Sequence, residues 1–328
     1  MAKKRSQNRG SAQYDEASAP TNAPALFGNG LGTDSRFRTA SECVTLQTGH
    51  FGCRAIFHSP WSARIAEYLS SKEVVELELN VAKGWRGQDL SFLAALPGLL
   101  VFEIFSFGIQ DISPIHTLHN LKKLGVTTYC LTELDFSAFP KLESCSLEWR
   151  PKAKSLFDCI TLTDLFVNRY KGQDTASFAK LRNLESLGLY NASIKDLHGL
   201  SELKALRLLS LAALRGLSSL SGIENLTGLA ELEMNTCRRI NSIEQVRTLT
   251  NLRKLYLTNM GDIESLKPLE NLNRLESVAF PQSTNIKDGD LWPLLRHKKL
   301  LRVAFQNRRH YSHLTAGDGK LIENMILP

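Results

Sequence analysis

The feature that most constrains this chain is a leucine spacing that keeps returning. In 181–200, LRNLESLGLYNASIKDLHGL, Leu184, Leu187 and Leu189 write L-x-x-L-x-L, and Ile194, Leu197 and Leu200 follow at looser spacing. Leu206-Leu209-Leu211, Leu229-Leu232-Met234, Leu252-Leu255-Leu257 and Leu275-Val278-Phe280 repeat the phrase about every 22–23 residues. A unit this short cannot bury its apolar side alone; stacked neighbours must do so. The 328 residues therefore need not divide into two globular domains, because an array is one quasi-one-dimensional body of any length.

The phrase extends in both directions. Val74-Leu77-Leu79, Leu99-Phe102-Ile104, Leu121-Leu124-Val126, Leu142-Cys145-Leu147 and Leu162-Leu165-Val167 precede it, and Leu300-Val303-Phe305 closes it. That makes about eleven turns over residues 73–306. Period and pattern resemble the leucine-rich repeat. The resemblance implies an α/β solenoid, a horseshoe whose concave side is a parallel sheet and whose convex side is short 3-10 or irregular segments. Ile263, Leu266 and Leu269 lie three apart, as a 3-10 return requires. The short returns are similar to the internalin-like and phosphatase-regulator-like subclasses. One position departs from the family. Ala192, Leu214, Cys237, Met260 and Ser283 stand where it places Asn or Cys, and only Cys237 matches. The turns must then satisfy their buried amides by another route. The phrase DLWPLLRHKKL before the last strand predicts a helix.

Residues 1–38 are rich in Ser, Ala, Asn, Gly and Pro without periodicity and predict a disordered leader, basic at Lys3, Lys4, Arg5 and Arg9. Residues 39–72 predict an N-terminal cap. ECVTLQTGHFGCRAIF reads as a hairpin, and Ser59-Pro60 as the start of a helix with Trp61, Ile65, Tyr68 and Leu69 on one face. Residues 307–328 predict a C-terminal cap and tail.

The six cysteines are dispersed, and three fall on repeat core positions, which favours a reducing, cytoplasmic setting over a disulfide framework. No apolar run is long enough to span a membrane, and no apolar segment follows the basic start as in a secretory signal. No phosphate-binding loop, H-E-x-x-H or G-x-S-x-G is present, and the repeats leave no segment large enough for a catalytic domain. The reading is non-enzymatic, with no cofactor, no metal and no small-molecule substrate. Cys43, His50, Cys53 and His58 are metal-ligand types at a spacing that matches no common zinc finger. His310 and His313 lack a third ligand nearby in sequence. Arg302-Val-Ala-Phe305 matches a phosphatase-docking peptide, but Val303 and Phe305 are inward residues of a repeat.

Chemistry is expected on the concave face. Three columns of side chains flank the inward leucines. They hold seven acidic residues (Glu76, Glu78, Glu103, Glu148, Asp164, Glu231, Glu233) against three basic ones (Lys123, Lys254, Arg302), on a chain whose formal charge is +7. Phe105, Phe166, Tyr190 and Tyr256 are interleaved with Gly125, Ser146, Gly188 and Ser210, small residues that would open a trough. Aromatic side chains are favoured interface anchors. The alternative is a solvated sheet surface whose aromatics follow β-propensity. The binding reading names Glu103, Phe105, Glu148, Phe166, Asn168, Tyr190, Glu231, Glu233, Asn235 and Tyr256, and a protein or peptide partner of basic character. Alternatives are nucleic-acid binding through the basic leader, or a bacterial effector delivered to a host cell with the leader as its export signal.

Overall fold

The computed structural model describes residues 39–315 and 321–323. The expected leader, and much of the expected C-terminal tail, lie outside these residues.

The chain opens with α1 (Ala40–Cys43), β1 (Val44–Thr48), β2 (Cys53–Phe57) and α2 (Ala63–Ser70). The repeat strands follow: β3 (Val74–Asn80), β4 (Val101–Phe105), β5 (Lys123–Thr127), β6 (Ser144–Glu148), β7 (Asp164–Asn168), β8 (Ser186–Tyr190), β9 (Leu208–Ala212), β10 (Glu231–Asn235) and β11 (Lys254–Thr258). Then come β12 (Asp262–Ile263), β13 (Ser277–Phe280), β14 (Asn285–Ile286), α3 (Trp292–Leu295), β15 (Arg302–Phe305), β16 (His313–Thr315) and β17 (Leu321–Glu323). Thirteen strands, β1–β11, β13 and β15, form one sheet in chain order. Only β1 and β2 pair antiparallel within it. Eleven of the thirteen are repeat strands, and the fold is an α/β solenoid of the leucine-rich-repeat kind.

The inward residues make one continuous core. Leu187, Leu189, Leu209, Leu232 and Leu255 are fully buried. Each contributes about 1.5–3 kcal/mol of burial. Most returns are single 3-10 turns, among them Lys154–Asp158, Ala176–Lys180 and Glu244–Thr248. The expected helix in DLWPLLRHKKL is confined to the four residues of α3. Leu291, Leu294 and His297 are buried at spacing three, with Pro293 buried beside Leu294, which suits a tight return.

The route by which the turns satisfy their amides is a ladder of backbone bonds. Arg169, Asn191, Ala213, Thr236, Asn259 and Gln282 all have φ between 54° and 61°. Each follows a repeat strand, and the N–H groups at this position bond to the next repeat, as do those of Ser106 and Trp149 in earlier repeats. Arg169 N–H donates to Tyr190 O (2.8 Å), Asn191 to Ala212 O (2.8 Å), Ala213 to Asn235 O (2.8 Å) and Thr236 to Thr258 O (3.0 Å). The following position can then be apolar, as Ala192, Leu214 and Met260 are. One expectation is corrected. The buried polar residue after β13 is Thr284, not Ser283; its Oγ1 donates to Leu257 O (2.5 Å) and accepts from Met260 N–H (2.9 Å). Ser283 is exposed, and its hydroxyl donates to Asn259 Oδ1.

At the other end, α2 is capped by Ser62 rather than Ser59. The Ser62 hydroxyl accepts from Ile65 N–H (3.4 Å). Trp61 lies before the helix because its ring stacks on Phe92 at 4.7 Å and on Phe57 at 6.0 Å.

Candidate partner-binding face

Strand registers align the three outward columns as the repeat phase predicts. Glu78, Glu103, Gly125, Ser146, Phe166, Gly188, Ser210, Glu233, Tyr256, Ala279 and Ala304 are consecutive neighbours across the sheet. What the side chains do along these columns differs from end to end.

Near the hairpin the acidic residues are already neutralised. Arg54 on β2 reaches Glu76 (3.5 Å), Glu78 (2.7 Å) and Glu103. Lys83 pairs with Glu78 at 2.7 Å and Lys123 with Glu103 at 2.9 Å. Burial would raise the pKa of Glu78, but hydrogen bonds from Lys83, Arg54 and Asn80 prevail and lower it. Glu103 behaves alike: burial is outweighed by Lys123 and Arg54. Glu76 is almost wholly buried and also accepts the Phe51 N–H at 2.5 Å. Gly49 permits this, since a Cβ there would lie 2.3 Å from the Glu76 carboxylate. The column count of a net acidic face is thus corrected here, because it omitted Arg54 and Lys83. Glu148 is also buried and held, by Asn168 Nδ2 (2.7 Å) and Arg169 (3.4 Å).

The middle of the sheet is different. Phe166 leans over Gly188, where a Cβ would meet its ring at 2.8 Å, and packs edge-on against Tyr190 at 4.8 Å. Gly188 therefore seats a neighbouring ring instead of opening a trough, and Gly125 likewise seats the Glu103 stem. The open trough lies beyond, lined by Tyr190, Ser210, Glu233, Asn235, Tyr256 and Thr258. Tyr190 Oη and Ser210 Oγ are 3.1 Å apart, and Ser210 Oγ donates to Glu233 Oε2 at 3.1 Å. Glu231 is taken by Lys254 at 2.8 Å. Glu233 forms no ion pair among the described residues. Burial, with Glu231 beside it, pushes its pKa up against the pull of Lys254. Of the ten expected residues, Phe166, Tyr190, Glu231, Glu233, Asn235 and Tyr256 come together around this stretch, with Asn168 beside Tyr190 in the register. Glu103, Phe105 and Glu148 do not.

Phe105 belongs to a second aromatic group that the repeat phase does not reveal. It meets Phe107 edge-on at 5.0 Å, Phe107 stacks on Tyr129 at 4.7 Å, and the Arg169 guanidinium lies 5.8 Å from the Tyr129 ring. Phe107, Tyr129 and Leu131 are exposed at the edge where the strands end. Phe107 and Tyr129 stand two residues after their strands, where later repeats place the buried Ala192, Leu214, Cys237 and Met260.

Among the described residues, no three of His, Cys, Asp and Glu converge as a metal site. His58 is held by Thr45 Oγ1 (2.7 Å) and Lys83 O (2.6 Å), and His310 by Ile286 O (3.0 Å). No helix among them is long and apolar enough to cross a membrane.

No protein-family model matches the chain, and no curated protein matches its sequence. Solved structures do match. An internalin (inlF) from Listeria monocytogenes aligns over 78% of this chain and 87% of its own, at 20% identity and a TM-score of 0.53. A TDR receptor aligns over 75% of this chain and 45% of its own, at 15% identity and a TM-score of 0.52. The likeness is one of fold: a curved leucine-rich-repeat sheet.

Proposed function

We propose that this solenoid is a non-enzymatic binding scaffold that holds a protein or peptide on its concave face. The partner places a basic side chain over Glu233, between Tyr190 and Tyr256. The observation that carries this reading is the contrast along the sheet. Glu78, Glu103, Glu148 and Glu231 have cations of their own, whereas Glu233 sits in the trough with a hydroxyl as its hydrogen-bond partner; Asp164, held likewise by the Ser144 hydroxyl, is exposed and lies outside the trough. A cation arriving there would relieve the repulsion from Glu231. It would also gain two aromatic walls, and an exposed cation–aromatic contact contributes about 0.5–1 kcal/mol. The leucine-rich-repeat fold supports a scaffold role by analogy alone.

The test is selection from a random peptide library displayed on phage. Peptides enriched on the intact chain should contain Lys or Arg, and should lose binding to Glu233→Gln and to Tyr190→Ala/Tyr256→Ala proteins with unchanged circular dichroism. Enrichment without a basic residue, or binding that both variants retain, would show that this stretch is not the site.

A further inference from the structure

On the edge of the solenoid, away from the trough, two successive returns border a half-open cavity of about 570 Å³. Its residues come from the segment after β6 (Trp149, Lys154, Phe157) and the segment after β7 (Tyr170, Lys171, Lys180). The volume is that of a small-molecule site. The walls are aromatic. Trp149 meets Tyr170 edge-on at 4.8 Å and Phe157 at 5.7 Å, and the buried Phe178 packs against both partners, 5.0 Å from Phe157 and 5.2 Å from Tyr170. Trp149 is half-buried, so part of its indole remains open.

The cavity is built by specific residues. Tyr170 occupies a buried position that Ala192 holds in the next repeat. Gly172 makes room for it, since a Cβ there would lie 2.3 Å from the Tyr170 hydroxyl. Three lysines rim the opening. Lys180 is paired with Asp158 at 2.7 Å. Lys154 and Lys171 are exposed and form no ion pair among the described residues. The nearby Asp174 carboxylate is turned to the backbone, accepting the Ala176 N–H at 3.0 Å.

We infer that this cavity binds an aromatic ring carrying an anionic group, an aryl phosphate or its like. The ring packs on the open indole of Trp149 beside Phe157, and the anion is held by Lys154 and Lys171. Aromatic stacking and charge recognition then act on one ligand, and neither half of it satisfies the site alone.

The test is calorimetric titration of the full chain with phenyl phosphate, against phenol and inorganic phosphate. Saturable one-to-one binding of phenyl phosphate, at least about tenfold tighter than either fragment, is expected. Lys154→Glu/Lys171→Glu, which alters only exposed side chains, should weaken it about tenfold or more. Trp149→Leu should do likewise if its melt matches the parent; if it does not fold, the lysine variant decides. A peptide containing phosphotyrosine separates two sources of the same chemistry. Tighter binding than phenyl phosphate assigns the ligand to a partner's side chain, and weaker binding assigns it to a free small molecule. No saturable binding, equal binding of inorganic phosphate or phenol, or indifference to the lysine reversals would overturn the assignment.

Discussion

Replacing Arg54 by Met removes a cation that serves three carboxylates at once. In the parent, Arg54, Lys83 and Lys123 balance Glu76, Glu78 and Glu103. In the variant, Glu78 keeps Lys83 and Glu103 keeps Lys123, but Glu76, at 1% exposure, retains no cation and has the Phe51 N–H for support. Breaking a buried pair costs about 3–5 kcal/mol; with Arg54 partly exposed and both lysines in place, about 2–4 kcal/mol is expected. Repeats couple to their neighbours only, so the loss should be local. Hydrogen exchange read by mass spectrometry should show protection across β1–β4 falling by roughly 30- to 1,000-fold at pH 7, with β8–β11 unchanged. Arg54 is one cause of the lowered pKa values of Glu78 and Glu103, and the variant lacks that share. Their stabilisation is present above the unfolded carboxylate value and is lost as pH falls through the depressed folded one. Parent and variant should therefore converge on acidification below about pH 4. A protection difference that persists at acid pH, or one spread evenly along the array, would refute the electrostatic account.

Three other perturbations test separate parts of the structure. Thr284→Val strands the Met260 N–H and the Leu257 carbonyl in the core, and should lower unfolding free energy in urea by about 1–3 kcal/mol. Glu233→Gln removes a carboxylate whose pKa is raised by burial and by Glu231. The cost of the ionised form is full above the raised folded pKa and vanishes once pH has fallen through the unfolded carboxylate value, so the variant should melt at or above the parent at pH 7 and match it in acid. Burial lowers the pKa of His297, against the opposing Leu269 carbonyl. The parent should then lose stability as pH falls below about 6.5, and His297→Leu should show a urea midpoint that is flatter between pH 7 and pH 5.

The strands and their outward columns were legible because the strand period is two and the leucines restate the phase in every repeat. Once Leu187 and Leu189 point inward, Ser186, Gly188 and Tyr190 must point outward. Arg54 was not legible in this way. It comes from the hairpin, where no repeat fixes the register against β3, and the pairing there shifts between Cys53 and Arg54. The left-handed turn residues were hidden for another reason. Arg, Asn, Ala and Thr all serve at that position, since what recurs from repeat to repeat is a backbone bond and not a side chain. Thr284 escaped because its repeat seats the buried hydrogen-bonding side chain one place later than Cys237 stands in its own. The edge aromatics Phe107 and Tyr129 lie in turns, where the alternation that assigns a side chain to one face has already ended.

The division of the concave face into paired and unpaired carboxylates bears on what a basic partner gains. At Glu78 or Glu103 it must compete with Arg54 and a lysine already in contact, and exchanging one partly exposed ion pair for another changes little, about 0–1 kcal/mol. At Glu233 no pair has to be broken. The carboxylate is already partly desolvated, so the partner supplies an interaction that the free protein lacks. An acidic column read from sequence therefore overstates how much of the face can select a cation. The trough between Tyr190 and Tyr256 is where charge and aromatic walls act on the same group.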